Sequence, residues 1–243
     1  MKIAILISGE PRFWQELDQL IENLKGYTEV DWFFYLWKNS PYGTNLGYVS
    51  NSWNNITEDV AYNKIKNNLP TNHNIAQIVI DEQENYTFPE ITGSMQWGVQ
   101  PNRSFTQFLG IHKVDQLRQQ YSKKYDIVIK ARGDVGLVDP VDLHDIKRIL
   151  EEKHKTIIVP SNYPDWGTKC LLNDKIVMAL PEIMDIYTNL FNMAKSYDNI
   201  GLQWGGESMI IHHMNVNNIR FTHNNFRMTE LDRQQPCIFG RWK

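Results

Sequence analysis

Cysteine is scarce in this sequence. Only Cys170 and Cys237 occur, too few for a disulfide framework and at no spacing that would hold a metal ion. A reducing compartment, the cytoplasm, is the expected setting. Long apolar runs are missing as well. The opening MKIAILISGEPR has an apolar run too short for a secretory signal, and Glu10 and Pro11 break it at once. No uninterrupted apolar stretch reaches the roughly 20 residues of a membrane span, so the chain reads as soluble and sequons such as Asn55-Ile56-Thr57 carry little weight. Neither sign of charge dominates: 25 Lys and Arg stand against 28 Asp and Glu, a formal net charge of −3. That excludes the global basic field expected of a nucleic-acid binder, so any anion site must be a local cluster. Walker and GxGxxG sequences are absent, as are internal repeats, low-complexity blocks and a convincing interdomain linker. One domain over residues 1–243 is expected. Aromatics, by contrast, are plentiful, with 8 Trp and 11 Tyr. Such rings serve either as sugar-stacking faces or as core.

Apolar runs alternate with helical patterns along the chain, which is the signature of an α/β fold. Lys2–Ile7 reads as a buried strand running into Ser8-Gly9-Glu10-Pro11-Arg12, followed by a helix over Phe13–Leu24 with Gly26 as its cap. Glycine lets backbone approach a ligand and arginine can fork onto phosphate, although a plain strand-to-helix turn has the same composition. Val30–Trp37 is the next strand, ending where Trp37 and Lys38 can face one crevice. Asn39–Asn55 reads as a long irregular loop, Thr57–Leu69 as a helix capped by Thr57 or Asn55, and Ala76–Ile80 as a strand. Asp81–Arg103 reads as loop. Ser104–Tyr121 has the strongest helical pattern, and its His112 and Lys113 read as packing or surface residues.

The stretch Tyr125–Leu137, YDIVIKARGDVGL, forms the centre of this pattern. Its run Ile127-Val128-Ile129 suits a strand buried on both faces. The strand stops at Arg132-Gly133-Asp134, delivering opposite charges to the carboxyl end, where open α/β sheets bind their ligands. Beyond it come a break at Val138-Asp139-Pro140, a helix over Asp142–Lys153, a strand over Thr156–Pro160 and a loop over Ser161–Lys169. Asn173-Asp174 precedes the apolar Lys175–Leu180, and a helix is expected from Pro181 to Ala194. Trp204-Gly205-Gly206-Glu207 opens a helix over Ser208–Met214, and Ile219–Thr222 is a short strand leading to His223 and a polar tail. His212 and His213 are adjacent on that helix, so they diverge by about 100° and cannot share one metal.

Four of these features, taken in order, resemble GT-A-like glycosyltransferases of bacterial and viral type. They are strand–SGEPR–helix, VDWFFYLW, the helix feeding YDIVIKARGD, and the late NDK with WGGE. The family shows G-x-P-R after the first strand, a YD-hydrophobic-R-x-D stretch, an N-D strand and a G-x-E helix start. The likeness spans Lys2 to Arg220 through short, degenerate motifs. It implies a single GT-A-like, Rossmann-related domain whose mainly parallel central sheet is flanked by helices. It also implies transfer of a sugar from a nucleotide-diphosphate donor to a hydroxyl, expected to belong to a glycan.

By that resemblance Ser8, Gly9, Arg12, Trp37, Lys38, Arg132 and Asp134 are the donor-site candidates. In such enzymes an acidic DxD holds a divalent cation against the diphosphate. Here Arg132 replaces the first acid, leaving Asp134 to bind Mn2+ or Mg2+, with His223 as a second ligand. The other arrangement is metal-free, with Arg132, Arg12 and Lys38 neutralising the phosphates. Glu207 is the candidate general base toward the acceptor, with Asp174 a competitor, although Glu207 at a helix start is also a favourable dipole partner. Asn39–Asn55 would help cover the donor. The lost first acid also fits a nucleotide-sugar or glycan-binding protein without catalysis. A nucleotidyltransferase would need a longer phosphate-cradling glycine loop than SGEPR.

Overall fold

The computed structural model describes residues 1–9, 14–38, 57–91, 101–133, 135–137, 140–160, 175–198, 204–224 and 228–230. The apolar runs become strands β1 (Lys2–Gly9), β2 (Glu29–Trp37), β3 (His73–Asp81), β4 (Ile127–Arg132), β5 (Val135–Leu137), β6 (Thr156–Pro160), β7 (Ile176–Ala179), β8 (Arg220–Asn224) and β9 (Met228–Glu230). Helices α1 (Trp14–Leu24), α2 (Glu58–Lys66), α3 (Pro101–Gln120), α4 (Leu143–Lys153), α5 (Pro181–Thr188), α6 (Leu190–Met193) and α7 (Gly206–Val216) lie between them.

Seven strands form one sheet in the order β3-β2-β1-β4-β7-β6-β8. All run parallel except β7, which is antiparallel to β4 and β6. Strands covered on both faces are buried along their length, as β1 and β4 are, with Lys130 the one charged residue buried within them. Alternate side chains feed two cores. Ile3, Ile5 and Ile7 of β1 join Leu20, Ile21 and Leu24 of α1 and Leu143, Ile146 and Leu150 of α4. Ala4 and Leu6 join Phe105, Phe108 and Leu109 of α3 with Met184 of α5 and Met209 of α7. The sheet is therefore covered by helices on both faces.

Strand order reverses at β1: β2 and β3 lie to one side of it and β4 to the other. Such a reversal splays the connections apart and opens a crevice at the carboxyl ends of the two central strands. The connections are unequal in a way that matters. At the carboxyl end they span 10–13, 38–57, 82–100 and 161–175, whereas at the other end they shrink to 25–28, 67–72, 121–126, 154–155 and 217–219. Long connections gathered on one rim of a rigid sheet are where binding residues concentrate.

Several boundaries differ from the sequence expectation. Helix α3 begins at Pro101, inside the segment read as loop, because proline suits the first helical turn. The same segment also holds a 3-10 turn over Gln83–Asn85. The expected helix Pro181–Ala194 breaks at Asn189 into α5 and α6. Gly26 does not cap α1 in the left-handed region; among the described glycines only Gly9 has positive φ, at 113°. β5 pairs antiparallel with β9, and neither strand stood out in the sequence. Thr57 caps α2 as expected, accepting the Val60 N–H at 3.4 Å. The expected loops Asn39–Asn55 and Ser161–Lys169 lie outside the described residues.

Candidate active site

Ser8 and Arg132 are register partners in the parallel pair β1–β4, and Gly9 pairs with Leu36 across β1–β2. The SG of the first motif and the R of the central motif, more than a hundred residues apart in sequence, thus meet at the strand-order reversal. Gly9, the last residue of β1, carries a positive φ. A methyl added there meets no heavy atom within 4 Å, so its glycine answers to conformation and not to crowding. Ser8 is 8% exposed, and α3 packs against it: a Cβ on Gly110 would sit 3.5 Å from Ser8 Cβ and 3.6 Å from Trp37 Nε1. The backbone N–H of Arg132 donates to the carbonyl of Lys175 at 3.0 Å, joining the start of the β7 segment to the same rim.

Glu207 reaches this end of the molecule through α3. A Cβ on Gly206 would lie 3.1 Å from Gln107 Oε1, and Gln107 stands one helical turn before Gly110. Trp204, just ahead of α7, packs on Phe105 with ring centroids 5.2 Å apart. Glu207 is half-buried in the first turn of α7, where the helix dipole favours a carboxylate.

Trp37 sits in the core. It is 2% exposed, set edge-on to Tyr35 at 5.3 Å and to Tyr86 at 5.9 Å. Its alternation in β2 turns it toward α3, which closes its faces to a sugar ring. Lys38 is paired: Nζ lies 2.7 Å from Glu82 Oε1, with both side chains part-exposed. His223 belongs to β8, opposite Val159, and is exposed on the carboxyl rim. It stands three strands out from β4, about 14 Å at normal strand spacing. Among the described residues no three His, Cys, Asp or Glu side chains gather into a metal-binding group. Arg12, Asp134 and Asp174 lie outside the described residues.

Two features of this end went unread in the sequence. Asp81, closing β3, accepts from Tyr35 OH, from Tyr86 OH at 2.5 Å, from the Glu82 N–H at 2.7 Å and from Asn85 Nδ2 at 3.2 Å. Burial works to raise its carboxyl, but these donors outweigh it and hold the group below its usual range. Tyr35 is pushed well up, by burial and by its bond to Asp81. With its acceptors occupied by the chain, Asp81 anchors the β3–α3 connection. The second feature is Lys130, 2% exposed within β4. A lysine inside the apolar run IVIKAR was the available signal.

The other polar clusters lie elsewhere. Asp115 on α3 accepts from Arg118 Nε at 2.6 Å, Gln119 Nε2 at 2.8 Å and Thr188 Oγ1 at 2.8 Å, tying α3 to α5. His213 is core: Nε2 donates to the Ile186 carbonyl at 2.8 Å, so Nδ1 accepts from Tyr197 OH at 2.8 Å. A groove of about 580 Å3 lies at the amino end of β4, lined in part by Lys123, Lys124, Lys147, Asp126 and Glu151. Two of its lysines are bound to acids, Lys123 to Asp31 at 2.6 Å and Lys147 to Asp126 at 2.7 Å. Among the described residues no helix is long and apolar enough to cross a membrane. No protein-family model matches the chain, and no curated protein matches it with significance.

Proposed function

We propose that this chain is a glycosyltransferase that moves a sugar from a nucleotide-diphosphate donor to a hydroxyl of a glycan acceptor. The observation that carries the reading is the register of Ser8 with Arg132 at the strand-order reversal. The two stretches that bear the family resemblance converge there, at the place where open α/β sheets bind nucleotides. Gly9 lets backbone come close to the diphosphate, and Arg132 and Arg12 supply positive charge to it. Charge accumulates on the leaving diphosphate in the transition state, so cations aimed at it lower the barrier. Asp134 is the residue that would hold Mn2+ or Mg2+, whose contribution is Lewis-acid stabilisation of that leaving group. Glu207 is the base that receives the acceptor proton, with Asp174 its rival; α7 carries Glu207 toward the rim on which β1 ends. The paucity of cysteine supports work in the cytoplasm.

A second reading, a nucleotide-sugar-binding protein without turnover, is favoured by one observation: a base, Arg132, stands where the first acid of DxD is expected. A thermal-shift screen against UDP, GDP, CDP and ADP and their sugars, with and without Mn2+, tests both. A donor that binds raises Tm by mass action. The transferase reading expects a shift with one base, and release of the diphosphate on adding acceptor glycans. A shift with no release over a broad acceptor panel favours the binding protein, and no shift with any nucleotide removes both.

A further inference from the structure

A cleft of about 410 Å3 opens between the last turns of α3 and α7 and the helices α5 and α6. That volume falls in the range of small-molecule sites, about 300–1,000 Å3. The cleft is remote from the proposed donor crevice: Gln119, which lines it, stands about 14 Å along α3 from Gly110 at 1.5 Å per residue. Asp185 is the one acid among its lining residues, no lysine or arginine lines it, and Arg118 pairs with that acid. His213 adds no charge, with Nε2 on the Ile186 carbonyl and Nδ1 taken by Tyr197 OH. A phosphate would meet a carboxylate there and no cation facing it, so the lining suits a neutral ligand.

The amides and the carboxylate of this cleft each commit one atom to the chain and keep another. Asp185 Oδ1 accepts from Arg118 and Gln119, and Gln119 Nε2 also donates to Asp115 at 2.8 Å. Asp185 Oδ2 and Gln119 Oε1 have no partner among the described residues. Asn217 Nδ2 donates to the His213 carbonyl at 2.8 Å, which leaves its Oδ1. Asn189 Oδ1 accepts from Asn192 at 2.7 Å, which leaves its Nδ2. Three acceptors and one amide donor thus remain beside the apolar Ile186, Met193 and Val216, the last two 38% and 56% exposed. The committed atoms hold these side chains in place, and no contact within the chain has to break for the free ones to bind. Hydroxyl groups both donate and accept, so a sugar answers the two kinds together while its C–H face covers the apolar side chains. Gln119 and Asp185 also line the groove of about 580 Å3, where the ring of Tyr121 is 37% exposed. The two hollows adjoin, and an exposed tyrosine offers a second sugar an apolar face. We propose that this cleft is a binding site for a neutral oligosaccharide, one sugar lying against Met193 and Val216 and the chain continuing toward Tyr121. The assignment stands on the lining of the cleft and is independent of the donor reading.

The test screens the full chain on an array of immobilised neutral oligosaccharides of hexose and N-acetylhexosamine, with sialylated and phosphorylated glycans beside them. Glycans that are retained are then titrated by calorimetry. V216R and M193R put a long charged side chain at cleft positions that are already exposed. N189D keeps the bond from Asn192 and turns the free donor into an acceptor. V60R, at an exposed residue of α2, is the control. A neutral glycan is expected to bind the native chain and V60R alike, about tenfold or more weakly to V216R and M193R, and about threefold or more weakly to N189D. Retention of no glycan, or of charged glycans only, overturns the proposal. So does a neutral glycan that binds all four variants alike, since its site then lies elsewhere on the chain. None of these results moves the donor reading, which the nucleotide screen decides by itself.

Discussion

Ser8 and Arg132 face each other across β1 and β4 at the point where the sheet reverses its strand order. Parallel pairing brings the carboxyl ends of both strands, Ser8-Gly9 and Arg132, to the same rim of the sheet. The neighbouring polar groups of β2 and β3 are committed elsewhere, Lys38 to Glu82 and Asp81 to two tyrosines.

Gly9 holds φ of 113° with open space where a side chain would begin. Gly9→Ala is therefore expected to cost about 1–3 kcal/mol of stability through backbone strain alone. Gly26, equally uncrowded but without positive φ, is the control, and Gly26→Ala should change stability by less than about 1 kcal/mol. Urea denaturation of the two variants side by side checks the difference, and equal midpoints would refute it.

In the proposed mechanism Asp134 and Arg132 act on the leaving diphosphate, so their loss should appear in turnover and not in folding. Asp134→Asn is expected to lower kcat for transfer about 100- to 1000-fold with Tm near that of the native chain. Arg132→Met should weaken nucleoside-diphosphate binding about tenfold or more. Unchanged turnover in the first variant would remove Asp134 from the mechanism. Calorimetric titration of the second is the corresponding check on Arg132.

Asp115 is fully buried and gathers donors from Arg118, Gln119 and Thr188, with Arg118 itself only 7% exposed. Asp115→Ala leaves a buried guanidinium with Asp185 as its remaining carboxylate. A loss of about 3–5 kcal/mol is expected from such a break, toward the lower figure because Asp185 stays. Since this network lies at the end of α3 remote from Gly110, donor binding by the protein that remains folded should be unaffected. Equilibrium unfolding and a nucleotide titration measure the two halves of this statement.

Burial lowers the pKa of His213 from its ordinary value of 6.5; the bond to the Ile186 carbonyl opposes the shift and neighbouring His212 adds to it. His73 and His112 move the same way, again chiefly by burial. A folded-state value below the unfolded one means that the unfolded chain takes up protons first as pH falls. The stability these rings contribute is complete above about pH 6.5 and declines as pH drops toward each folded value, by up to about 1.4 kcal/mol per pH unit per ring. His213→Gln should flatten the slope of stability between pH 7 and 5. An identical slope in that variant would show that His213 does not titrate on unfolding.

Much of this fold is written in local composition. The short runs IAILI, VDWFFYLW, IVIKAR and TIIVP read as strands closed on both faces because they are brief and rich in β-branched and aromatic residues. Glycine and arginine at the ends of the first and fourth strands are what point the proposed site to the carboxyl rim. The same local signals misplaced the start of α3, since the loop-like composition around Pro101 masked a proline suited to a helix start. They also passed over the interruption at Asn189.

By itself, then, the chain determined most strands of the main sheet, though not the β5–β9 pair, and which of them carry charge at their ends. Only tertiary structure decided that β4 lies beside β1, that β7 enters antiparallel next to it, that Trp37 turns inward and that Lys130 lies buried in β4. The reason is physical. Strand character follows from a few adjacent side chains, whereas strand order and facing depend on which apolar surfaces α3, α5 and α7 cover, a competition among segments more than a hundred residues apart.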